Sequence, residues 1–128
     1  MEPKRTFTAA HIRYLLTMDE LDPKNKGIRC VDIAMALGLS KPSVHGMMST
    51  FAGWGLVEKQ AYGDVFMTLD GRAAAQRYRR YYTAVAGLLG RSFPELHDVR
   101  TAACSLLAEI PPQSLEKLCS RCEAAVTS

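Results

Sequence analysis

The chain has 128 residues, is 48% hydrophobic and 23% charged, and carries 16 Lys and Arg against 13 Asp and Glu, a net charge of +3. That length holds one domain with a core and leaves little room for a second. The composition excludes a chain disordered throughout, no apolar run approaches the roughly 18 residues of a membrane span, and 4 Cys are too few for a disulfide scaffold.

Residues 1–5 have no apolar stretch behind them, so no secretory signal is expected and a reduced, cytoplasmic protein is. Ala9, Ile12, Leu15, Leu16 and Met18 recur at helical spacing and predict a helix over about 8–21. A polar loop rich in turn formers follows at 22–27. Val31, Ala34 and Leu37 restore the helical period, and Gly38 stops it. Ser40 is placed to cap a third helix, with Pro42 in its first turn, where a missing N–H costs nothing. Val44, Met47, Met48 and Phe51 form that helix's expected buried face, and Gly53 and Gly55 break it.

Two short apolar runs, 56–59 and 65–68, flank a polar tip around Tyr62-Gly63-Asp64 and predict a β-hairpin. A long helix is expected from Asp70-Gly71 to about Leu89, ended by Gly90. Another starts at Phe93-Pro94-Glu95 and carries Leu96, Val99, Ala103, Leu106 and Leu107. Pro111-Pro112 breaks it, and Ser114 caps a last short helix through Leu115 and Leu118.

Two short helices joined across Gly38-Leu39-Ser40 and followed by a hairpin make a winged helix-turn-helix. A helix of about 10 residues fits the DNA major groove, the helix before it crosses the backbone, and the hairpin reaches neighbouring phosphates. The exposed face of the third helix offers Lys41, Ser43, His45, Gly46 and Ser49; Arg29 opens the second helix, and Lys59 and Gln60 lie on the hairpin. The charge is uneven in the same sense. Residues 1–91 hold 13 Lys and Arg against 8 Asp and Glu, whereas 92–128 hold 3 against 5. The competing reading is a winged helix that binds protein instead of DNA.

Residues 27–34 (Gly-Ile-Arg-Cys-Val-Asp-Ile-Ala), Leu37-Gly38-Leu39-Ser40, Pro42-Ser43-Val44, Met47, Gly55-Leu56-Val57, Gly63, Leu69 and Gly71 resemble the iron- and manganese-dependent repressors of the diphtheria toxin repressor family. The resemblance runs over about 10–107 and is densest over 27–71. It implies a homodimer on a palindromic double-stranded operator, with Ser40, Pro42 and Ser43 at the DNA. It also implies metal ligands in the first helix, in the long helix and in the helix after it. The matching positions here are Ala10 and Arg13, Tyr82, and the stretch Arg100 to Cys104. Hard cations need oxygen ligands, joined by His for iron or manganese, so the family's metal sites are expected to be absent.

Cys119-Ser120-Arg121-Cys122 puts two sulfurs on nearly one helical face, and with Cys104 and His97 it raises a zinc, iron–sulfur or redox alternative. His97 and Cys104 lie seven residues apart, about 10.5 Å along a helix, too far to share one ion. The plainer reading makes Cys30 and Cys104 small buried hydrophobes. The arginines 72, 77, 79 and 80 read as a solvated face or as further phosphate contacts. The stripe Tyr78, Tyr81, Tyr82, Val85, Leu88 and Leu89 is broad for a surface helix and needs a partner. No catalytic motif is present: His11, His45 and His97 sit on separate segments with no nucleophile beside them. The expectation is a mainly α protein. It has a winged helix-turn-helix with a small β-hairpin wing over 1–70 and a helical dimerisation segment over 71–128. It acts as a non-enzymatic transcriptional regulator, with no cofactor and no membrane association.

Overall fold

The computed structural model describes residues 6–60 and 63–127; residues 1–5 and Tyr62 at the expected hairpin tip lie outside the described residues. Among the described residues the order is α1 (Ala9–Leu21), β1 (Ile28–Arg29), α2 (Cys30–Leu37), α3 (Lys41–Gly53), β2 (Val57–Lys59), β3 (Asp64–Met67), α4 (Leu69–Ser92), α5 (Val99–Glu109) and α6 (Pro112–Thr127). The expected mainly α winged helix-turn-helix is what the chain forms. The chain divides into two compact units, Tyr14–Gln76 and a second made of Met1–Arg13 with Arg77–Ser128.

In the first unit the sheet order is β1-β3-β2, antiparallel throughout. Val57 pairs with Met67 and Lys59 with Val65, while Ile28 pairs with Val65 on the other side. Val57, Val65 and Met67 alternate with more exposed residues, as a half-buried strand requires. Their apolar face joins Ile33 of α2 and Val44, Met48 and Phe51 of α3 in the buried core, where Phe51 stands edge-on to Tyr14 at 6.2 Å between ring centroids. Residues 14–18 of α1 are all buried, so this stretch of α1 is enclosed on every side instead of presenting one stripe.

The second unit is helical. Phe7, Tyr78 and Tyr81 stack edge to face at 5.5 and 5.2 Å. Val85 and Leu89 of α4, Ala103, Cys104 and Leu107 of α5, and Leu115 and Cys119 of α6 are buried with them. Arg80 of α4 donates to Glu116 and to both oxygens of Glu123, and the Tyr81 hydroxyl donates to Glu116 at 2.7 Å, tying α4 to α6.

Several boundaries and faces differ from the sequence expectation. Strand β1 is two residues long and too short to show a period. Helix α4 runs through Gly90 to Ser92, because a helical glycine lowers propensity without stopping a helix whose preceding turns are packed. Helix α5 begins only at Val99: the Asp98 carboxylate accepts from Thr101 N at 3.1 Å and from its hydroxyl, displacing the start expected at Pro94 and leaving Leu96 37% exposed. Helix α6 begins at Pro112, ahead of Ser114, since proline is at home in a first helical turn, and it runs 16 residues. Met47 is only half-buried, and Leu88 lies 45% exposed.

Candidate nucleic-acid interface

The site is built outward from the loop before β1. Asp22 is 4% exposed, and its carboxylate accepts from Lys26 N at 2.7 Å and Gly27 N at 2.9 Å. Arg72 of α4 reaches this loop. It donates to Asp19 at 2.9 Å, to the Asp22 carbonyl at 2.8 Å and to Asn25 Oδ1 at 3.2 Å. Arg72 is therefore neither solvated nor available to phosphate, as either reading of the arginine cluster would have it. Gly27, at φ +108°, lies under the Phe66 ring, which a Cβ would meet at 2.8 Å. The loop thus delivers Arg29 to the start of α2.

Helix α2 ends on Gly38 in the left-handed conformation, whose N–H donates to the Ala34 carbonyl; Leu39 N donates there too. The chain turns, and the Ser40 side chain caps α3 by accepting from Ser43 N at 3.3 Å. Its hydroxyl also donates to the Ser43 hydroxyl at 2.9 Å. These two contacts fix the first turn of α3, where Lys41 and Pro42 lie.

One face of α3 holds Val44, Met48 and Phe51, each 0% exposed. The opposite face presents Lys41, Pro42, Ser43, His45, Gly46 and Ser49, all exposed. Arg29 is exposed at the start of α2, with a loose 3.5 Å pair to Asp32 one turn on. Lys59 on β2 donates to Ser49 at 2.6 Å, so the wing and α3 share a surface instead of projecting separately. Sequence spacing placed both residues at the interface but could not show that they touch. Gln60 is exposed where the hairpin leaves β2. Thr68 holds the other end of the wing: its hydroxyl donates to the Gly55 carbonyl at 2.6 Å and accepts from Gly71 N at 3.0 Å. Thr68 shows no sequence signal beyond lying at a strand–helix junction, whereas Gly71 is among the residues that carry the resemblance.

Lys41, Arg29 and Lys59 put exposed cations on the winged helix, and small hydroxyl and imidazole side chains lie along the exposed face of α3. The nearest buried thiol is inert: burial is the main reason Cys30 lies above the ordinary cysteine value, and Asp64 adds to this while Lys59 opposes it.

The positions that the resemblance assigns to metal hold other side chains. Two guanidiniums approach the Tyr82 ring, Arg79 at 5.9 Å and Arg100 at 5.1 Å from its centroid. The charge of Arg13 is felt by Asp98, which its bonds to Thr101 chiefly hold below the usual carboxylate range. Cys104 is fully buried. Among the described residues, no three His, Cys, Asp or Glu side chains come together as a metal-holding group. Cys119 is buried, with its thiol donating to the Arg80 carbonyl at 3.6 Å; burial pushes that thiol up in pKa, and Cys122 is half-buried beside it.

Residues 13–61 match the IclR helix-turn-helix domain. Over 61 residues the chain is 38% identical to the transcriptional regulator MntR of two Escherichia coli strains, a match covering 48% of this chain. The chain thereby spans 39% of the length of these curated relatives. Its fold is similar to that of T. acidophilum IdeR, with a TM-score of 0.69 at 21% identity over 92% of this chain and 55% of that one. It is similar as well to a hypothetical protein of Sulfolobus solfataricus, with a TM-score of 0.61 at 23% identity over 88% of this chain and 86% of that one. Residues 13–61 thus carry a helix-turn-helix, and the winged-helix arrangement expected over residues 27–71 is present. No helix among the described residues is long and apolar enough to cross a membrane.

Proposed function

We propose that this chain is a cytoplasmic transcriptional regulator that binds a palindromic DNA operator as a homodimer and does so without the metal sites of the diphtheria toxin repressor family. The observation that carries the reading is the continuous exposed surface of α3 and wing. Lys41, Ser43, His45 and Ser49 lie along one helix face, joined to Lys59 of the wing at 2.6 Å. Helix α3 enters the major groove. Arg29, Lys41 and Lys59 anchor to phosphates, and Ser43, His45, Gly46 and Ser49 approach base edges. Ser40 and Pro42 set the angle at which α3 enters.

Dimerisation is supported by apolar side chains left exposed in the helical unit: Leu88 at 45%, Phe93 at 49%, Leu96 at 37% and Leu106 at 39%. A two-fold pair of recognition helices reads half-sites about one helical turn apart. The metal-free part is supported by the two guanidiniums close to Tyr82, which put positive charge where the resemblance would place a cation ligand.

Selection of operators from a random duplex pool, run with chelator and again with divalent manganese, iron or zinc, tests the whole reading. The expected product is one inverted-repeat motif recovered equally in every arm. A motif recovered only with metal would overturn the metal-free part, and no enriched motif would overturn DNA recognition.

A further inference from the structure

A cavity of about 890 Å³ opens in the helical unit between α4 and α6. Its floor is made of small side chains from both helices: Ala84 and Gly87 on α4, Cys119 and Cys122 on α6. Residues this small normally let helices close on one another. Here the space between them is kept, and it lies within the range of sites that hold small organic molecules. Most of its surface is apolar.

The charges on its wall are of two kinds. Glu123 lines the cavity, but both its oxygens are taken by Arg80, at 2.8 and 3.0 Å. Arg91 and Arg121 also line it, and among the described residues neither is in an ion pair or hydrogen bond. Arg91 sits in the last turn of α4, where the helix dipole favours a cation. The dipole does not explain where its side chain goes. Its Nη1 lies 3.3 Å from the position a Cβ on Gly87 would take, so the guanidinium lies back along the helix over the cavity floor, in close contact with the space that Gly87 leaves open.

We propose that this cavity binds a small amphipathic acid, with its apolar body on the Ala84, Gly87, Cys119 and Cys122 floor and its carboxylate held by Arg91 and Arg121. A guanidinium presents a planar fork of donors matched to a carboxylate. An apolar floor with two uncommitted cations selects against neutral and cationic amphiphiles alike. The assignment concerns the helical unit alone and stands whether or not α3 reads DNA.

The probe is decanoate, titrated calorimetrically into the whole chain below its micelle-forming concentration, with acetate and decylammonium as controls. Decanoate is expected to bind saturably at one site per chain, and the controls are not. The double variant Arg91→Ala/Arg121→Ala, with an unchanged circular dichroism spectrum, weakens binding about tenfold or more through the loss of charge-assisted hydrogen bonds. Gly87→Leu fills the floor and abolishes binding. Bound decanoate also slows alkylation of Cys122 by iodoacetamide. Equal binding of decylammonium, equal affinity of the double variant, or no saturable decanoate binding would each overturn the proposal. The last does so even where sedimentation then finds a second copy of the chain covering the cavity.

Discussion

Gly71 is where the wing and the long helix are locked together, and replacing it by alanine perturbs that junction alone. The residue lies inside the first turn of α4 and has no positive φ, so its backbone accepts any side chain. The obstacle is space. A Cβ there would overlap the carbonyl oxygen of Leu56 and stand 2.9 Å from the Leu56 carbonyl carbon and 3.3 Å from its Cα. All three are backbone atoms. The same carbonyl accepts the Thr68 N–H at 3.0 Å, so it cannot retreat without breaking the bond that closes the hairpin just before α4. Overpacking of this kind costs up to about 3 kcal/mol, and the helix-propensity gain of alanine over glycine returns about 1 kcal/mol. The net loss is about 2 kcal/mol. Gly90→Ala, in the same helix with nothing within 4 Å of its Cβ position, is the control. It receives the propensity gain without the clash and stabilises by about 0.5–1 kcal/mol. Urea denaturation of the two variants beside the wild type separates them by sign. Gly71→Ala at or above wild-type stability would refute the close approach of Leu56 and α4.

Arg72→Ala leaves the Asp19 carboxylate and the Asp22 carbonyl without their shared donor. With side-chain exposures of 15% and 20% for Arg72 and Asp19, the loss is about 2–4 kcal/mol in the same denaturation assay. Arg72→Lys recovers only part of it, because one ammonium cannot span the three acceptors. Hydrogen bonds from Arg80 hold Glu116 and Glu123 below their ordinary value of 4.5. The native state therefore binds fewer protons than the unfolded state in acid. The stabilisation is complete above about pH 4.5 and is lost as pH falls through the depressed native values, a slope that Glu116→Gln and Glu123→Gln flatten in acid-unfolding curves. Burial, then the bond to Glu116, pushes the Tyr81 phenol up to about 12, so Tyr81→Phe removes the most alkaline tyrosine step from an ultraviolet titration.

The helix-turn-helix was legible because its punctuation is local. Gly38 takes a left-handed cap, Ser40 caps the next helix two residues later, and Val44, Met48 and Phe51 keep a helical period. The resemblance over residues 27–71 drew on the same local features. What escaped was set by distance in sequence. Arg72 belongs to acceptors 47 to 53 residues away, and Arg80 to carboxylates 36 and 43 residues away. From spacing alone both looked like members of one basic stripe. Strand β1 exists only because β3 offers it a partner, and the start of α5 was decided by a carboxylate at Asp98 over a proline at 94. At the interface, residue types and exposure were readable, whereas the Lys59–Ser49 bond needed the hairpin's actual path.

The central claim is that α3 and the wing grip DNA through Lys41, Ser43 and their neighbours. The most direct measurement is fluorescence-anisotropy titration of the selected operator across a range of salt, for wild type, Lys41→Ala and Ser43→Ala. Lys41→Ala is expected to weaken binding to every duplex alike and to lower the slope of log affinity against log salt by about 1. Ser43→Ala keeps the slope and changes the preference among operator variants. Salt-independent binding, or both variants binding as wild type does, would contradict the account.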